Sequence, residues 1–552
     1  MLWGNMWNYL AESFTEEESL VLSRYFTNLD KPVFALINLP EVVKGALFAR
    51  YSRSAKSLRR LFLDEFYNPV DFAVNPVGEV GLQRAERLYE RMLSEYGDDS
   101  VAQLGGVHLA CEQASNILTK VLERGRLMAY LEQSTRYVPY DKPMADGQFK
   151  YFVPDEVVRA GLESEFRATV DHLFAGYREL FEEVQQSVYA TTYKEAQDSD
   201  FIYNSSVRAV ALDAVRGVLP AAVLSNVGIY GSAQAYEMLI MRMRSSRLAE
   251  VREYAELIKQ ELDKVIPAFL TRLDRSDRGG VWVDYLATRS GSLDGLTFEL
   301  ATKEAQTAVS YGQVDSRDGD GTAVRLIRYQ TGGERDVAAG ILFELGRFEM
   351  SDAVKVAADL SESELCDLFT RYVGNRENRR HKPGRAFEQT SYLFEVECDY
   401  GAFRDLQRHR ILSIEWQDLG VSLGYSIPEL ISDFGLEEEY TGLLERARTL
   451  YDHMLPILGT KVSSYAVPMG YRIRFLLEIN AREAMHLIEL RSSPQGHSEY
   501  RKVAQKMFEC IANIANHRNI ARSMVFVDLD QYRLGRLSSL RREERKIQDP
   551  SN

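Results

Sequence analysis

LERGRLMAYLEQSTRY, residues 122–137, aligns with LQRHRILSIEWQDLGV, residues 406–421, so that Arg124 falls on Arg408 and Arg126 on Arg410. Three further pairs of segments match in the same order along the chain. They are VVKGALFARYSR (42–53) with VAAGILFELGRF (337–348), RGVLP (216–220) with SYAVP (464–468), and LIMRMRSS (239–246) with LIELRSS (487–493). Because matches in a fixed order mark an internal repeat, the chain is predicted to contain two copies of one folding unit.

The repeat also sets the expected domain boundaries. We predict an N-terminal extension at 1–30, a first copy at 31–290, a linker at 291–322, a second copy at 323–530 and a basic tail at 531–552. The linker contains YGQVDSRDGDGT (311–322), whose glycines and aspartates favour a loop.

Composition indicates a soluble globular protein of a reducing compartment. The 552 residues carry a formal charge of −14, and the four cysteines form no CxxC pair. No signal peptide is recognisable, and no run of about 18 apolar residues could cross a membrane. The acidic balance argues against nucleic-acid binding, and the eight histidines form no metal-binding motif. We therefore expect a cytoplasmic protein that binds small molecules, without a metal.

The local patterns predict a mixed α/β fold in each copy. YLFEVECD (392–399) alternates apolar and acidic residues as a half-buried strand does, and GAFRDLQRHR (401–410) follows as a short helix. The matching first-copy segment is predicted as a strand near 107–112 and a helix near 114–126, although its own periodicity would also fit one long helix. Further helices are predicted at 82–96, 249–264 and 500–516.

Arg408-His409-Arg410 with Ser413, and EQSTRY (132–137), resemble the signature of the flavin-dependent thymidylate synthases. That signature joins an Arg-His-Arg element to a Ser-x-Arg element ten residues on. Here the first copy keeps Ser134 and Arg136 but has Gly125 in place of the histidine. The second copy keeps His409 but has Asp418 and Gly420 in place of the serine and arginine. The two copies have thus lost complementary parts of the signature.

The resemblance implies that the second copy binds FAD. The residues implied are Arg408, His409 and Arg410, with Asn480, Arg482 and His486 of INAREAMHLIELR (479–491) and Glu388 of RHKPGRAFE (380–388). Arginine and histidine suit this role because a flavin dinucleotide carries a pyrophosphate and, when reduced, negative charge near N1. One alternative stays open, since His486 lies among apolar residues and could be a core histidine.

The resemblance likewise implies that dUMP is the substrate. The substrate-binding residues implied are Arg124, Glu132, Ser134, Arg136, Arg216 and Arg242 (or Arg244), and Arg491 and Ser134 are expected to take part in catalysis. Arginine suits this role because its planar guanidinium can donate two parallel hydrogen bonds to the oxygens of a phosphate. The alternatives are that Ser134 and Arg136 lie on the surface, that Arg216 pairs with Asp213, and that Glu132 belongs to a solvated face.

The implied reaction is methylene transfer from methylenetetrahydrofolate to C5 of dUMP, with the reduced flavin FADH₂ as reductant and NADPH restoring it from FAD. The implied fold is two tandem copies, each a mostly antiparallel sheet flanked by helices. Family members are homotetramers, so the fused chain is expected to form a homodimer, a pseudo-tetramer, with one FAD and one nucleotide per chain. The alternatives are a flavoenzyme acting on another pyrimidine nucleotide, and a non-catalytic homologue that binds nucleotide or flavin.

Overall fold

The computed structural model of the chain describes residues 9–39, 51, 54–67, 106–195, 198–266, 270–289 and 322–532. The helix predicted at 82–96 lies outside these residues, as do nearly all of the basic tail and of the linker. The chain divides into two compact units. The first unit comprises Met1–Arg178, Leu219–Ala308 and Glu445–Val467, and the second comprises Glu179–Val218, Val309–Leu444 and Pro468–Asn552. Each unit therefore includes a segment from the other half of the sequence.

The secondary structure repeats along the chain. The strands are β1 Val33–Ala35, β2 Gly106–Ser115, β3 Met128–Glu132, β4 Leu224–Ser232, β5 Ala323–Tyr329, β6 Ser391–Asp399, β7 Ser413–Trp416 and β8 Arg472–Asn480. The helices are α1 Glu16–Leu22, α2 Leu58–Leu61, α3 Asn116–Leu122, α4 Asp155–Arg159, α5 Glu163–Thr191, α6 Asp200–Val215, α7 Ala233–Arg244, α8 Ala249–Leu262, α9 Gly333–Glu344, α10 Met350–Asp359, α11 Glu362–Val373, α12 Tyr400–Gln407, α13 Glu429–Asp433, α14 Glu437–Ser463, α15 Ala481–Arg491, α16 Ser498–Glu509 and α17 Arg518–Ser523.

The two sheets have the same topology. Both are four-stranded and antiparallel, with the orders β1-β2-β4-β3 and β5-β6-β8-β7. Their registers also agree, because Glu132 pairs with Val227 in the first sheet and its counterpart Trp416 pairs with Phe475 in the second. The predicted fold, two copies of a mostly antiparallel sheet flanked by helices, is confirmed.

Several predicted boundaries shift by a few residues. The strand near 107–112 extends to Ser115, so the helix predicted at 114–126 begins only at Asn116 and ends at Leu122. Ser115 fixes this start because its hydroxyl accepts a hydrogen bond from the Leu118 N–H at 3.0 Å, which satisfies a free amide of the first turn. The helix predicted at 500–516 ends at Glu509 and continues as a π-helical turn, Cys510–Ile514.

Each unit is organised around buried apolar side chains with a few buried ionic groups. In the first unit, Phe26, Phe34, Leu58 and Phe62 pack together beside β1 and β2. In the second unit, alternate residues of β6 and β8 face the core, as the period of a half-buried strand requires. Among the described residues, no helix is both long and apolar enough to span a membrane.

The segments taken from the other half of the sequence are fixed by backbone hydrogen bonds. In the first unit, the Ala221 N–H donates to Val467 O at 2.8 Å and the Ala222 N–H donates to Tyr465 O at 3.0 Å. In the second unit, the Gly470 N–H donates to Gly217 O at 2.8 Å. The aligned segments RGVLP and SYAVP both form short 3₁₀ turns, and the first of them brings Arg216 into the second unit.

Candidate functional site

Two turns of the second unit bring the candidate site together. The Asp399 side chain caps α12, which ends at Gln407 so that His409 and Arg410 follow in the turn to β7. The Asn480 side chain accepts a hydrogen bond from the Glu483 N–H at 2.9 Å and so begins α15. Because β7 pairs with β8, the turn after α12 lies against α15.

His409 is buried between two charged residues of α15. Its Nδ1 lies 3.3 Å from Glu483 Oε1, and its Nε2 accepts a hydrogen bond from Arg491 Nε at 3.0 Å. Burial lowers the pKa of His409 well below its usual value, and the Arg491 charge lowers it further. The imidazole is therefore neutral at physiological pH.

His486 and Glu483 line the same part of the site. The ring centroids of His486 and His409 are 5.6 Å apart. Burial, followed by the charges of Lys382 and Arg379, lowers the pKa of His486 to about 4. Burial raises the pKa of Glu483 to about 7, even though Lys382 favours its ionised form. The site thus holds two neutral imidazoles beside one carboxyl group that titrates near neutral pH.

Asp405 links three of the candidate arginines. Its carboxylate lies 3.7 Å from both Arg216 Nη1 and Arg491 Nη1 and forms an ion pair with Arg408. Its backbone carbonyl accepts a hydrogen bond from Arg491 Nη2 at 2.5 Å. The sequence analysis missed Asp405, for which the available signal was an acid three residues before the Arg-His-Arg element.

The loop at 375–384 adds basic groups that act on His486. Buried Arg376 anchors it with two contacts to Glu489, at 2.6 and 2.7 Å. Arg482 Nε donates to Pro383 O at 2.9 Å, and Arg482 also lies 3.4 Å from Glu388. Arg379 Nη1 is buried and has no hydrogen-bond partner among the described residues. Arg379 and Lys382 were also missed, although Arg-Arg-His-Lys is a conspicuous basic run in an acidic chain.

Arg216 faces a small pocket of the second unit that is rich in acidic groups. Asp213, Asp399 and Glu499 line this pocket together with Arg216. Burial raises the pKa of Asp399 to about 7, and the charge of Glu499 contributes to the rise. A Cβ at Gly401 would lie 3.2 Å from the guanidinium, so glycine allows this close approach. Arg216 is thus buried among carboxyl groups.

In the first unit, other side chains occupy the place that corresponds to His409. A Cβ on Gly125 would lie 2.6 Å from the Tyr130 hydroxyl and 3.1 Å from Met128 Sδ. The Tyr130 hydroxyl donates to Gly125 O at 2.8 Å, which holds the ring there. The first-copy counterparts of Asn480, Arg482 and His486 are Ser232, Gln234 and Met238.

The remaining predicted substrate residues also lie in the first unit. Glu132 is buried and paired with Lys120 at 3.3 Å, so the alternative of a solvated face is wrong for this residue. The Ser134 hydroxyl accepts a hydrogen bond from the Arg136 N–H at 3.2 Å, and both residues are half-buried in a turn. Arg124 is exposed and Arg242 is half-buried. Arg244 is paired with Glu256, with contacts of 2.7 and 3.0 Å.

The predicted site residues are therefore divided unequally between the two units. The second unit brings together the whole predicted cofactor set, the proposed catalytic Arg491, and Arg216. The other predicted substrate residues, with Ser134, belong to the first unit.

Sequence comparisons identify the family. The model of the family described as thymidylate synthase complementing protein matches two regions, residues 49–268 and 325–515. The chain belongs to this family. The first matched region contains β2, β3 and β4 of the first sheet, and the second contains nearly all of the second sheet, so the family's unit occurs twice in the chain.

Related proteins fall into two groups. A UPF0159 protein from Chlamydia muridarum is 37% identical over 95% of this chain and 97% of its own length. A flavin-dependent thymidylate synthase from Clostridium tetani is 26% identical over 32% of this chain and 66% of its own length. Among solved structures, the flavin-dependent thymidylate synthase from Helicobacter pylori complexed with FAD and dUMP matches 34% of this chain and 92% of its own, at 21% identity and a TM-score of 0.26. The Chlamydia muridarum protein thus matches nearly the whole chain, whereas the two synthases each match about a third of it.

Proposed function

We propose that this member of the thymidylate synthase complementing protein family is an FAD-dependent thymidylate synthase. It would methylate dUMP reductively with methylenetetrahydrofolate and NADPH, in the cytoplasm. The observation that carries the proposal is the arrangement around His409. A neutral, buried imidazole is held between Glu483 and Arg491 and is surrounded by basic side chains in a chain of net charge −14.

The residues of the second unit fit a flavin dinucleotide. A pyrophosphate and a reduced isoalloxazine are anionic, so they require several cationic donors. Arg379 supports the fit because its Nη1 is buried without a hydrogen-bond partner among the described residues, and a ligand oxygen would satisfy it. The residues proposed to hold FAD are Arg408, His409, Arg410, Asn480, Arg482, His486 and Glu388, to which we add Arg379 and Lys382.

Individual residues have separate tasks in this proposal. The flavin supplies the reducing equivalents when it is bound. The contacts with Pro383 O and Glu388 hold the Arg482 guanidinium in one orientation. The directions of its remaining N–H donors are therefore fixed as well, because the guanidinium is planar and rigid. Arg491 is held by His409 and the Asp405 carbonyl and would contact the pyrimidine. Ser134 and Arg136, in the turn after β3, remain the proposed ligands of the nucleotide phosphate.

Only one flavin per chain is proposed. In the first unit, Tyr130 and Met128 occupy the position that corresponds to the His409 side chain. The polar residues Asn480, Arg482 and His486 are replaced there by residues without a positive charge. We accordingly propose a homodimer with two FAD molecules.

A flavoenzyme acting on a different pyrimidine nucleotide is the second candidate. One observation favours it: Glu132, which the family resemblance assigns to the substrate, is buried and paired with Lys120. A carboxylate engaged in this way is a weaker acceptor for an additional ligand group. The product formed from dUMP therefore decides between the two candidates.

The test measures both product and cofactor. The purified chain is incubated with FAD, NADPH and methylenetetrahydrofolate, with dUMP or, in parallel reactions, another pyrimidine nucleotide, and the products are identified by mass spectrometry. The matched variants are Arg410→Ala and Arg126→Ala, which change exposed arginines at equivalent positions of the two copies. We expect dTMP from the unmodified chain, reduced FAD occupancy in Arg410→Ala and unchanged occupancy in Arg126→Ala.

Two outcomes would contradict the proposal. Bound flavin without dTMP, but with another nucleotide consumed, would favour the second candidate. Loss of FAD in Arg126→Ala with full occupancy in Arg410→Ala would assign the cofactor to the first unit. Native mass spectrometry adds the stoichiometry, for which a dimer holding four FAD molecules would refute the proposal of one site per chain.

A further inference from the structure

Three side chains of the second unit form a continuous hydrogen-bonded chain. Arg491 Nε donates to His409 Nε2 at 3.0 Å, and His409 Nδ1 lies 3.3 Å from Glu483 Oε1. The three side chains are largely removed from solvent, so water competes little for these contacts. Both ring nitrogens of His409 are therefore engaged, each by a different residue of α15.

The chemistry of the partners fixes the tautomer of His409. A guanidinium has donors and no acceptor, so the Nε2 atom that faces Arg491 must carry the lone pair. The single proton of the neutral ring must then lie on Nδ1, where it can be donated to Glu483. The lowered pKa of His409 agrees with a neutral ring. A hydrogen-bond donor at the position of Glu483 Oε1 would require a lone pair on Nδ1 and would therefore oppose this tautomer.

The tautomer in turn orients Arg491. Arg491 also contacts the Asp405 carbonyl at 2.5 Å, the Asp405 carboxylate at 3.7 Å and the Tyr500 ring, whose centroid lies 5.3 Å from the guanidinium carbon. If His409 carried its proton on Nε2, that N–H would point at the Arg491 N–H and the contact would be repulsive. The direction of the guanidinium therefore depends on the proton position of the imidazole.

His409 and Glu483 could also be considered, together with His486, as a cation site, because the ligand atoms of these three residues lie within 4.8 Å of one another. The surrounding charges oppose that interpretation. Lys382 from the loop, Arg482 on α15 and Arg410 after α12 all act on Glu483 as positive charges. Arg379 and Arg491 act in the same way on His486. A divalent cation would be repelled by each of these groups.

We propose that Glu483 is a positioning residue: its carboxylate holds His409 as the Nδ1–H tautomer and thereby directs the Arg491 guanidinium toward the ligand. The identity of that ligand rests on the proposed function, whereas the tautomer does not. Carboxylates that orient a histidine in this way are worth about 10- to 100-fold in activity where they have been measured in metal sites. The counterpart of Glu483 in the first unit is Ala235, which lacks a carboxylate.

The first experiment needs no catalysis. The full chain is labelled with ¹⁵N-histidine, and the His409 signals are assigned by their loss in His409→Gln. We expect the unmodified chain to show a protonated Nδ1 and an unprotonated Nε2. A protonated Nε2 in the unmodified chain would overturn the proposal, whatever the enzyme is found to do. Because this measurement is made on the unmodified chain, it does not depend on any Glu483 variant folding.

The second experiment compares Glu483→Gln with Glu483→Leu. The amide oxygen of glutamine can still accept from Nδ1–H, so kcat should stay within about three-fold of the unmodified chain. Leucine has similar size and no acceptor, so kcat should fall about ten-fold or more while FAD stays bound. Glu362→Leu, on the exposed start of α11, is the control for a lost surface carboxylate. Equal activity of the glutamine and leucine variants would overturn the positioning role. If no chain makes dTMP, the proposed function fails, and the tautomer measurement still decides this inference.

Discussion

Replacement of Arg376 by methionine tests whether a buried ion pair holds the basic loop in place. The Arg376 and Glu489 side chains are 1% and 0% exposed, and two contacts of 2.6 and 2.7 Å join them. Arg376 also donates to Ser523 O at 2.7 Å. Methionine retains most of the aliphatic volume, so the principal loss is the positive charge with its hydrogen bonds. Glu489 would then be left as a buried carboxylate whose guanidinium partner is gone.

The expected loss of stability follows from that geometry. Removal of one partner of a buried ion pair costs about 3–5 kcal/mol, because the remaining charge stays desolvated. For a unit of this size, each kcal/mol lowers Tm by about 2–4 °C, so the second unit should melt roughly 6–20 °C lower. Replacement of both residues by methionine removes both charges and should recover most of the loss.

The assay is thermal unfolding followed by circular dichroism, with FAD titration at a temperature where the variant is folded. Arg371→Met is the matched control, because its pair with Asp367 at 2.8 Å is largely exposed. An exposed pair of this spacing contributes about 0.3–0.5 kcal/mol, so its Tm should change little. FAD affinity should fall in Arg376→Met, since the loop carries Arg379 and Lys382. If Arg376→Met were as mild as Arg371→Met, or if the double variant were no more stable than the single one, the reasoning would be refuted.

Two further predictions concern the first unit. Burial raises the pKa of Glu250 from 4.5 to about 7, so the folded chain retains a proton that the unfolded chain releases. The stability that this group contributes is complete below about pH 4.5 and is lost by about pH 7, roughly 3 kcal/mol in total. Relative to the unmodified chain, Glu250→Gln should therefore gain stability between pH 5 and 8, and parallel melting curves across that range would contradict this assignment. Arg136→Ala should raise the Kd for dUMP at least ten-fold, about 1.4 kcal/mol, with FAD still bound, and an unchanged Kd in calorimetric titration would return Arg136 to the surface-charge interpretation.

Local sequence patterns were sufficient for β6 and for the repeat. β6 was predicted within one residue, because alternation of apolar and acidic side chains is a property of the strand itself. The split of the signature between Ser134 in one copy and His409 in the other was also readable, since each element lies within a short segment. The shared order and register of the two sheets then followed from the repetition of those segments.

Tertiary structure decided the contacts that give the site its chemistry. His409 and Arg491 are 82 residues apart, and they meet because β7 pairs with β8. Asp405 could not be recognised as a common partner of three arginines, because one of them, Arg216, comes from the first half of the sequence.

The sequence by itself determined that the chain repeats one α/β unit and that His409 survives in the second copy alone. It left open whether Gly125, which stands in place of the histidine in the first copy, leaves space for a ligand. The structure shows Tyr130 and Met128 in that position. Side-chain packing of this kind depends on which residues the sheet brings together, and the period of a strand specifies a face without specifying a neighbour. Residue types and local periods are therefore encoded along the chain, whereas burial, tautomer and charge balance arise only when distant segments close around one another.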